Sequence, residues 1–103
     1  MSELFRPTLE MAQAARRGLL LRGRSARSNQ GGTAVGLARA RQFSQRQGVS
    51  LDVVKRTYSF LSRARTYYRP GENTPGTQAY LLWGGPAGLT WARNIIAQNN
   101  KEK

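Results

Sequence analysis

"AYLLWGGPAGLTW", residues 79–91, is an uncharged stretch that contains both tryptophans of a very basic chain. Its large apolar side chains include Tyr80, Leu81, Trp83, Leu89 and Trp91. Burying such side chains contributes about 25 cal/mol per Å², and glycines 84, 85 and 88 permit a tight chain reversal. A ligand loop is the alternative, but it needs convergent polar groups, and only Gln78 and Thr90 are close in sequence. We therefore expect this segment to close the core, with Trp83 and Trp91 buried.

The rest of the chain predicts one basic helical domain over residues 1–103. Apolar residues recur at helical spacing, and no strand-like alternation is present, so we expect an all-α fold: a compact bundle of four to five short helices. The predicted helices cover residues 7–22, 34–46, 51–65, 78–83 and 87–98. Thr33 and Ser50 are the expected N-caps of the second and third of these helices. A flexible arginine-rich loop is expected at 22–32 and a Pro/Gly connector at 66–76. The third helix has a stripe of predicted core residues: Leu51, Val54, Tyr58 and Leu61.

The composition argues against catalysis. The chain has no cysteine and no histidine, which removes thiolate nucleophiles, nearly all zinc sites and the usual general base. Its five acidic residues are scattered along the sequence, so a paired acid and base is not expected. No apolar run approaches the roughly 20 residues of a membrane-spanning helix. We therefore expect no enzyme activity, metal, cofactor, small-molecule substrate or membrane contact.

Positive charge is the strongest functional signal. The chain carries 17 Lys and Arg against 5 Asp and Glu, a net charge of +12. Residues 11–69 hold 13 of the basic residues and one acid, Asp52, so this segment accounts for the whole net charge. All but one of the 13 are arginine, whose planar guanidinium matches phosphate oxygens. The residues predicted to bind DNA or another polyanion are Arg16, Arg17, Arg22, Arg24, Arg27, Arg39, Arg41, Arg46, Lys55, Arg56 and Arg63.

The segment "FSQRQGVSLDVVKR", residues 43–56, resembles a helix-turn-helix. The positions that match the pattern are Phe43, Ser44, Gly48, Val49 and Val54. Gly48 is expected to take the positive φ of the turn, whereas Gln47 and Thr57 stand where apolar residues are usual. If the pair docks in a major groove, Lys55 and Arg56 read bases or anchor phosphates. The alternative leaves both residues in solvent on the outside of a bundle.

Two further motifs leave alternatives open. "GGTAVG", residues 31–36, precedes a helix and could present backbone N–H groups to a phosphate, although it lacks the register and the lysine of a P-loop. Tyr67 and Tyr68 flank a proline turn. They are packing lids in one interpretation and stacking surfaces for single-stranded bases in the other. The sequence favours the packing lids.

Five motifs together resemble a known kind of protein. "AARRGLLLR", "GGTAVGLARARQFS", "VSLDVVKRTYSFLSR", "YRPGE" and "LLWGGPAGLTWA" occur in this order over residues 14–92. This series is similar to a small uncharacterised domain of tailed-phage and related viral proteins. The sequence departs from that pattern at Pro86, where an aspartate is usual, and at "ARTYY", residues 64–68, where His-Glu is usual. The resemblance implies a viral protein located in the virion or the host cytoplasm, and the departures favour binding over chemistry.

Two functions are compatible with these features. The first is a small basic phage protein that binds nucleic acid, DNA before RNA, through arginine–phosphate contacts and is associated with the virion. The alternative is a minor structural protein of the particle, a head, neck or capsid-bound component that acts through contacts with other phage structural proteins.

Overall fold

The protein is an all-α bundle, which confirms the predicted fold class. A computed structural model describes residues 3–101. Its helices are α1 (Leu9–Gly23), α2 (Ala34–Ser44), α3 (Leu51–Ala64), α4 (Pro75–Leu82) and α5 (Gly85–Lys101). Two short 3-10 turns, Arg27–Asn29 and Arg65–Tyr67, lie in the connections before α2 and α4.

The first four helices each begin after a Ser or Thr cap. The hydroxyl of Thr33 accepts from the N–H of Gly36 at 3.2 Å, and Ser50 accepts from Val53 at 3.4 Å, so both predicted caps are present. Thr8 caps α1 in the same way. Each hydroxyl satisfies a backbone donor that has no partner within its helix.

The last two helices begin earlier than predicted. Thr74 caps α4 through the N–H of Thr77 at 3.1 Å, and Pro75 occupies the first helical turn. The connector after α3 therefore ends at residue 74. α5 begins at Gly85, so Pro86 lies inside its first turn instead of ahead of the helix. Proline is tolerated there because a first-turn N–H has no helical acceptor.

α1 and α2 form an antiparallel hairpin, and α4 packs across α1. At one end Arg22 contacts Gly31, and at the other Arg46 contacts Pro7. Gly18 lies where α1 meets α4: a Cβ added there would be 2.8 Å from the backbone nitrogen of Leu82. The glycine that weakens α1 by propensity thus permits the close approach of the two helices.

The core joins both halves of the bundle. The ring of Phe43 in α2 meets Trp91 of α5 edge-on at 6.0 Å between centroids, and Phe60 of α3 stacks on Trp83 at 5.0 Å. Trp83 and Trp91 are 7% and 8% exposed. Together these rings show that the "LLWGGPAGLTW" stretch closes the core, because both of its tryptophans contact helices from elsewhere in the chain.

One residue of the predicted α3 core stripe lies elsewhere. Val54 and Leu61 are fully buried, and Leu51 packs partly buried against the core. Tyr58, however, is 37% exposed, so its assignment to the core was wrong. Thr57 faces the core instead and is fully buried. Burial of its hydroxyl is tolerated because the hydroxyl donates a hydrogen bond of 2.8 Å to the carbonyl of Val53 within the helix.

The predicted helix-turn-helix does not form as a packed unit. α2 packs on α1 and α4, whereas α3 packs mainly on α5. The N-terminal segment lies against the turn between them: Phe5 and Val49 exchange two backbone hydrogen bonds of 2.8 and 2.9 Å. Positive φ occurs at Arg46 (53°) and not at Gly48. Gln47 is exposed, so no side chain at that position links α2 to α3.

Candidate nucleic-acid interface

The α1–α2 hairpin presents four exposed arginines, here called the hairpin surface: Arg16, Arg17, Arg24 and Arg41. Arg24 follows the last residue of α1 with a helical backbone conformation, so it projects from the same side as Arg17, seven residues earlier. The Nη2 of Arg16 donates to the carbonyl of Ser44 at 2.6 Å, at the C-terminal end of α2, so this side chain spans the two helices. A cation is favourable there because unpaired carbonyls gather at a helix C-terminus.

The outer face of α3 presents a second cationic set, here called the α3 surface: Lys55, Arg56 and Arg63. Arg56 forms an ion pair of 2.9 Å with Asp52, one turn earlier on the helix. Both side chains are more than half exposed, where such a pair contributes little to stability. Arg63 donates to the hydroxyl of Ser59. Asp52 thus lowers the positive charge of this surface at its N-terminal end.

Two arginines of the predicted interface are half-buried. The Nε of Arg22 donates to the carbonyl of Gly31 at 2.9 Å and fixes the end of α1 to the following loop. Arg39 lies with its guanidinium carbon 5.9 Å from the ring centroid of Trp83 and donates to Gln42 at 3.1 Å. These contacts hold the fold together, so Arg22 and Arg39 are poorly placed to bind a phosphate.

Arg46 and Arg27 are exposed but differ in their contacts. The Nε of Arg46 donates to the carbonyl of Pro7 at 2.8 Å and thereby holds the N-terminal segment in place. Arg27 lies in the 3-10 turn between α1 and α2, and its side chain makes no hydrogen bond or ion pair with the rest of residues 3–101. Arg27 is therefore available to an external anion, whereas Arg46 could turn to such an anion only by breaking its hydrogen bond to Pro7.

The predicted basic loop 22–32 begins later than expected, because α1 continues to Gly23, and it is attached to α4 through one buried amide. Gln78 is fully buried, and its Oε1 accepts from the N–H of Gly31 at 2.7 Å. Its Nε2 donates to Ser25, Asn29 and Asn73 at 2.8, 3.3 and 2.7 Å. The same side chain therefore fastens both connecting segments, the basic loop before α2 and the Pro/Gly connector before α4. Flexibility of the loop stays a prediction.

The glycines of "GGTAVG" have structural explanations. A Cβ at Gly31 would overlap the carbonyl oxygen of Pro75, and Gly32 has a φ of +91°. A Cβ at Gly36 would be 3.2 Å from the indole nitrogen of Trp83. The N–H groups of Gly31 and Gly36 already donate to Gln78 and Thr33. Two of the donors that the phosphate interpretation needs are thus occupied within the chain.

The two neighbouring tyrosines have different environments. Tyr68 stacks on Tyr80 at 4.7 Å between ring centroids, so it is a packing residue. Tyr67 is 68% exposed, which contradicts its interpretation as a lid. Burial raises the pKa of the Tyr80 hydroxyl above its usual value, although Arg65 opposes the shift. The sequence could not separate Tyr67 from Tyr68, because adjacent residues around a turn point in different directions.

No protein-family model, curated protein or solved structure matches this chain. The resemblance to a viral domain therefore stays a prediction.

A groove whose lining includes no residue of either cationic surface lies beside α5. It has a volume of about 490 Å³ and runs between the start of α1 and α5, with Glu10, Trp91 and Ile95 in its wall. Leu9, which is 51% exposed, lies in sequence between the lining residues Thr8 and Glu10, whereas the exposed Leu4 lies against Gly48. The carboxylate disfavours a phosphate ligand there. Within residues 3–101 no helix is long and apolar enough to cross a membrane, and no group of acidic residues could hold a metal ion.

Proposed function

We propose that the protein binds nucleic acid, DNA in the first instance, through arginine–phosphate contacts. The observation that carries this proposal is the large number of exposed cations without acidic partners. Among residues 3–101 the one ion pair is Arg56 with Asp52, while the chain has a net charge of +12. Exposed arginines that are not neutralised by neighbouring carboxylates attract phosphate and release its counterions on binding.

The proposed contact is with the phosphate backbone. The hairpin surface supplies three side chains that make no hydrogen bond or ion pair within the described chain: Arg17, Arg24 and Arg41. On the α3 surface, Lys55 likewise makes no hydrogen bond or ion pair within the described chain. In a helix-turn-helix the first helix supports the second, which lies in the major groove. Since α2 and α3 do not pack on each other in this way, we do not propose that α3 docks in a major groove. Binding by backbone contacts is expected to depend weakly on sequence.

A second proposal is that the protein is a minor structural component of a viral particle. The groove beside α5 and the exposed Leu9, which lies in sequence between its lining residues Thr8 and Glu10, favour it, because exposed apolar groups beside a groove are typical of protein contacts. A viral origin and a location in the virion or host cytoplasm rest on the sequence resemblance. The test is mass spectrometry of purified particles, where stoichiometric copies support the proposal and absence refutes it.

Charge reversal on each surface tests nucleic-acid binding. One variant carries Arg17→Glu, Arg24→Glu and Arg41→Glu, and a second carries Lys55→Glu and Arg56→Glu. The control is Arg93→Glu, an exposed arginine of α5 outside both surfaces. Each variant is first checked for native helix content by circular dichroism. We expect the first variant to weaken duplex DNA binding strongly and to reduce its salt dependence by about one unit of slope per lost contact.

The outcomes assign the contact. A loss confined to the first variant places the DNA on the hairpin surface, and a loss confined to the second places it on the α3 surface. If Arg93→Glu weakens binding as much per reversed charge as either variant does, the attraction depends on total charge and the proposed surfaces are wrong. If the wild-type protein fails to bind duplex DNA and single strands, nucleic-acid binding itself is refuted.

A further inference from the structure

An apolar pit opens on the surface between the end of α3 and the start of α4. It has a volume of about 280 Å³ and is lined by Phe60, Arg63, Ala64, Tyr67, Gly76 and Ala79. The walls are almost entirely apolar, and Arg63, a member of the α3 surface, supplies the one charged group among them. An apolar pit with an arginine in its wall suits a flat apolar ring that carries a negative charge nearby.

Tyr67 is held in position although its ring is exposed. The 3-10 turn Arg65–Tyr67 sets its backbone, and a Cβ on Gly76 would lie 2.7 Å from the Cβ of Tyr67. The backbone of α4 therefore packs directly under this tyrosine. Phe60, which also lines the pit, is fixed by its stack on Trp83 at 5.0 Å between ring centroids. The backbone and Cβ of Tyr67 and the ring of Phe60 are thus in place before any ligand arrives, which reduces the entropic cost of binding.

Arg63 has donors to spare for a phosphate. Its guanidinium donates one hydrogen bond, to the exposed hydroxyl of Ser59, out of five N–H groups. In single-stranded nucleic acid, bases stack on exposed aromatic rings while cations contact the adjacent backbone. In a duplex the bases are already stacked on one another and cannot enter such a pit.

We propose that this pit binds one unstacked base of single-stranded DNA or RNA, with the base against Tyr67 and an adjacent phosphate on Arg63. The inference rests on the proposed nucleic-acid binding and makes it more specific, because it adds a preference for single strands. The proposed contacts involve the base and a phosphate but not the sugar, so DNA and RNA are both candidate sources of the base.

Fluorescence anisotropy tests the site with three probes: oligothymidine of about 12 nucleotides, oligouridine of the same length, and a DNA duplex of the same length. The variants are Tyr67→Ala, the conservative Tyr67→Phe, and Tyr58→Ala. Tyr58 is an exposed tyrosine of α3 that does not line the pit. We expect Tyr67→Ala to weaken binding of one or both single strands about tenfold, the typical effect of losing one stacked base. Tyr67→Phe, Tyr58→Ala and duplex binding should stay near wild type.

A second readout separates stacking from a general effect. An oligothymidine with one 2-aminopurine loses fluorescence when that base stacks, and we expect the quenching by the wild-type protein to disappear with Tyr67→Ala. Equal weakening on duplex and single strands, or unchanged single-strand binding and quenching, would overturn the pit proposal while leaving phosphate binding intact. Absence of any nucleic-acid binding by the wild type would refute both.

Discussion

Replacement of Gln78 by methionine should loosen two connecting segments at once. Methionine has nearly the same length, but its thioether is too weak an acceptor to replace the amide oxygen that now accepts from the buried N–H of Gly31. An unsatisfied buried donor costs about 1–3 kcal/mol. Ser25, Asn29 and Asn73, the acceptors of the lost amide donor, are exposed or half-buried and can turn to water. The expected loss is therefore about 2 kcal/mol, which lowers Tm by roughly 10 °C in a domain of this size.

The assay is thermal and urea unfolding combined with hydrogen exchange. The Gly31 amide should exchange much faster in Gln78→Met than in the wild type. The matched control is Gln13→Met on the exposed side of α1, which should change stability by less than about 0.5 kcal/mol. Unchanged protection of Gly31 together with an unchanged Tm would refute the idea that this amide holds the basic loop and the connector.

Three further predictions concern single positions. Gly31→Ala should lower the free energy of unfolding in urea by about 3 kcal/mol, because the added methyl group would overlap the carbonyl of Pro75. Gly23→Ala should raise it by about 0.5 kcal/mol, because no atom lies within 4 Å of the added methyl group. Similar effects of the two changes would contradict this packing. Asp52→Asn should increase the affinity for DNA about threefold at low salt, because it removes the negative charge beside the α3 surface. The control Asp52→Glu keeps the charge and should leave the affinity unchanged. Unchanged affinity of Asp52→Asn would exclude the α3 surface from the contact. Burial raises the pKa of Tyr80, so the native state holds this proton more tightly than the unfolded chain, where the pKa is 10.0. The contribution of this hydroxyl to the free energy of unfolding is therefore complete below pH 10.0 and falls as the pH rises above that value. Tyr80→Phe should remove that part of the alkaline loss in urea unfolding, and identical pH profiles would show that the hydroxyl does not contribute.

The fold class was predictable from the sequence because its signals are local. Helical spacing of apolar residues and the caps Thr33 and Ser50 depend on neighbours in the chain. The central error was the helix-turn-helix, which depends on which helices pack together. α2 and α3 have the right sequence separation, yet Phe43 turns to Trp91 and the turn pairs with Phe5. Partners so distant in sequence leave no local pattern.

The candidate interface was predictable in composition but not in detail. A dense arginine segment indicates a polyanion partner whatever the fold. Which arginines hold the fold depends on tertiary geometry: Arg39 lies over Trp83, and Arg22 reaches a carbonyl nine residues away. The exposure of Tyr67 was likewise invisible, since Tyr68 beside it is packed on Tyr80. The sequence shows Gln78 only as a polar residue beside the uncharged stretch, because its role depends on two distant connecting segments that meet at its amide.

The dependence of nucleic-acid affinity on salt tests the central claim most directly. The wild-type protein is titrated with a DNA duplex and with oligothymidine over a range of salt concentrations beginning at about 50 mM. With about six phosphate contacts, the logarithm of affinity should fall against the logarithm of salt concentration with a slope near −5 on duplex DNA. A slope near zero, or no binding at the lowest salt, would contradict arginine–phosphate recognition.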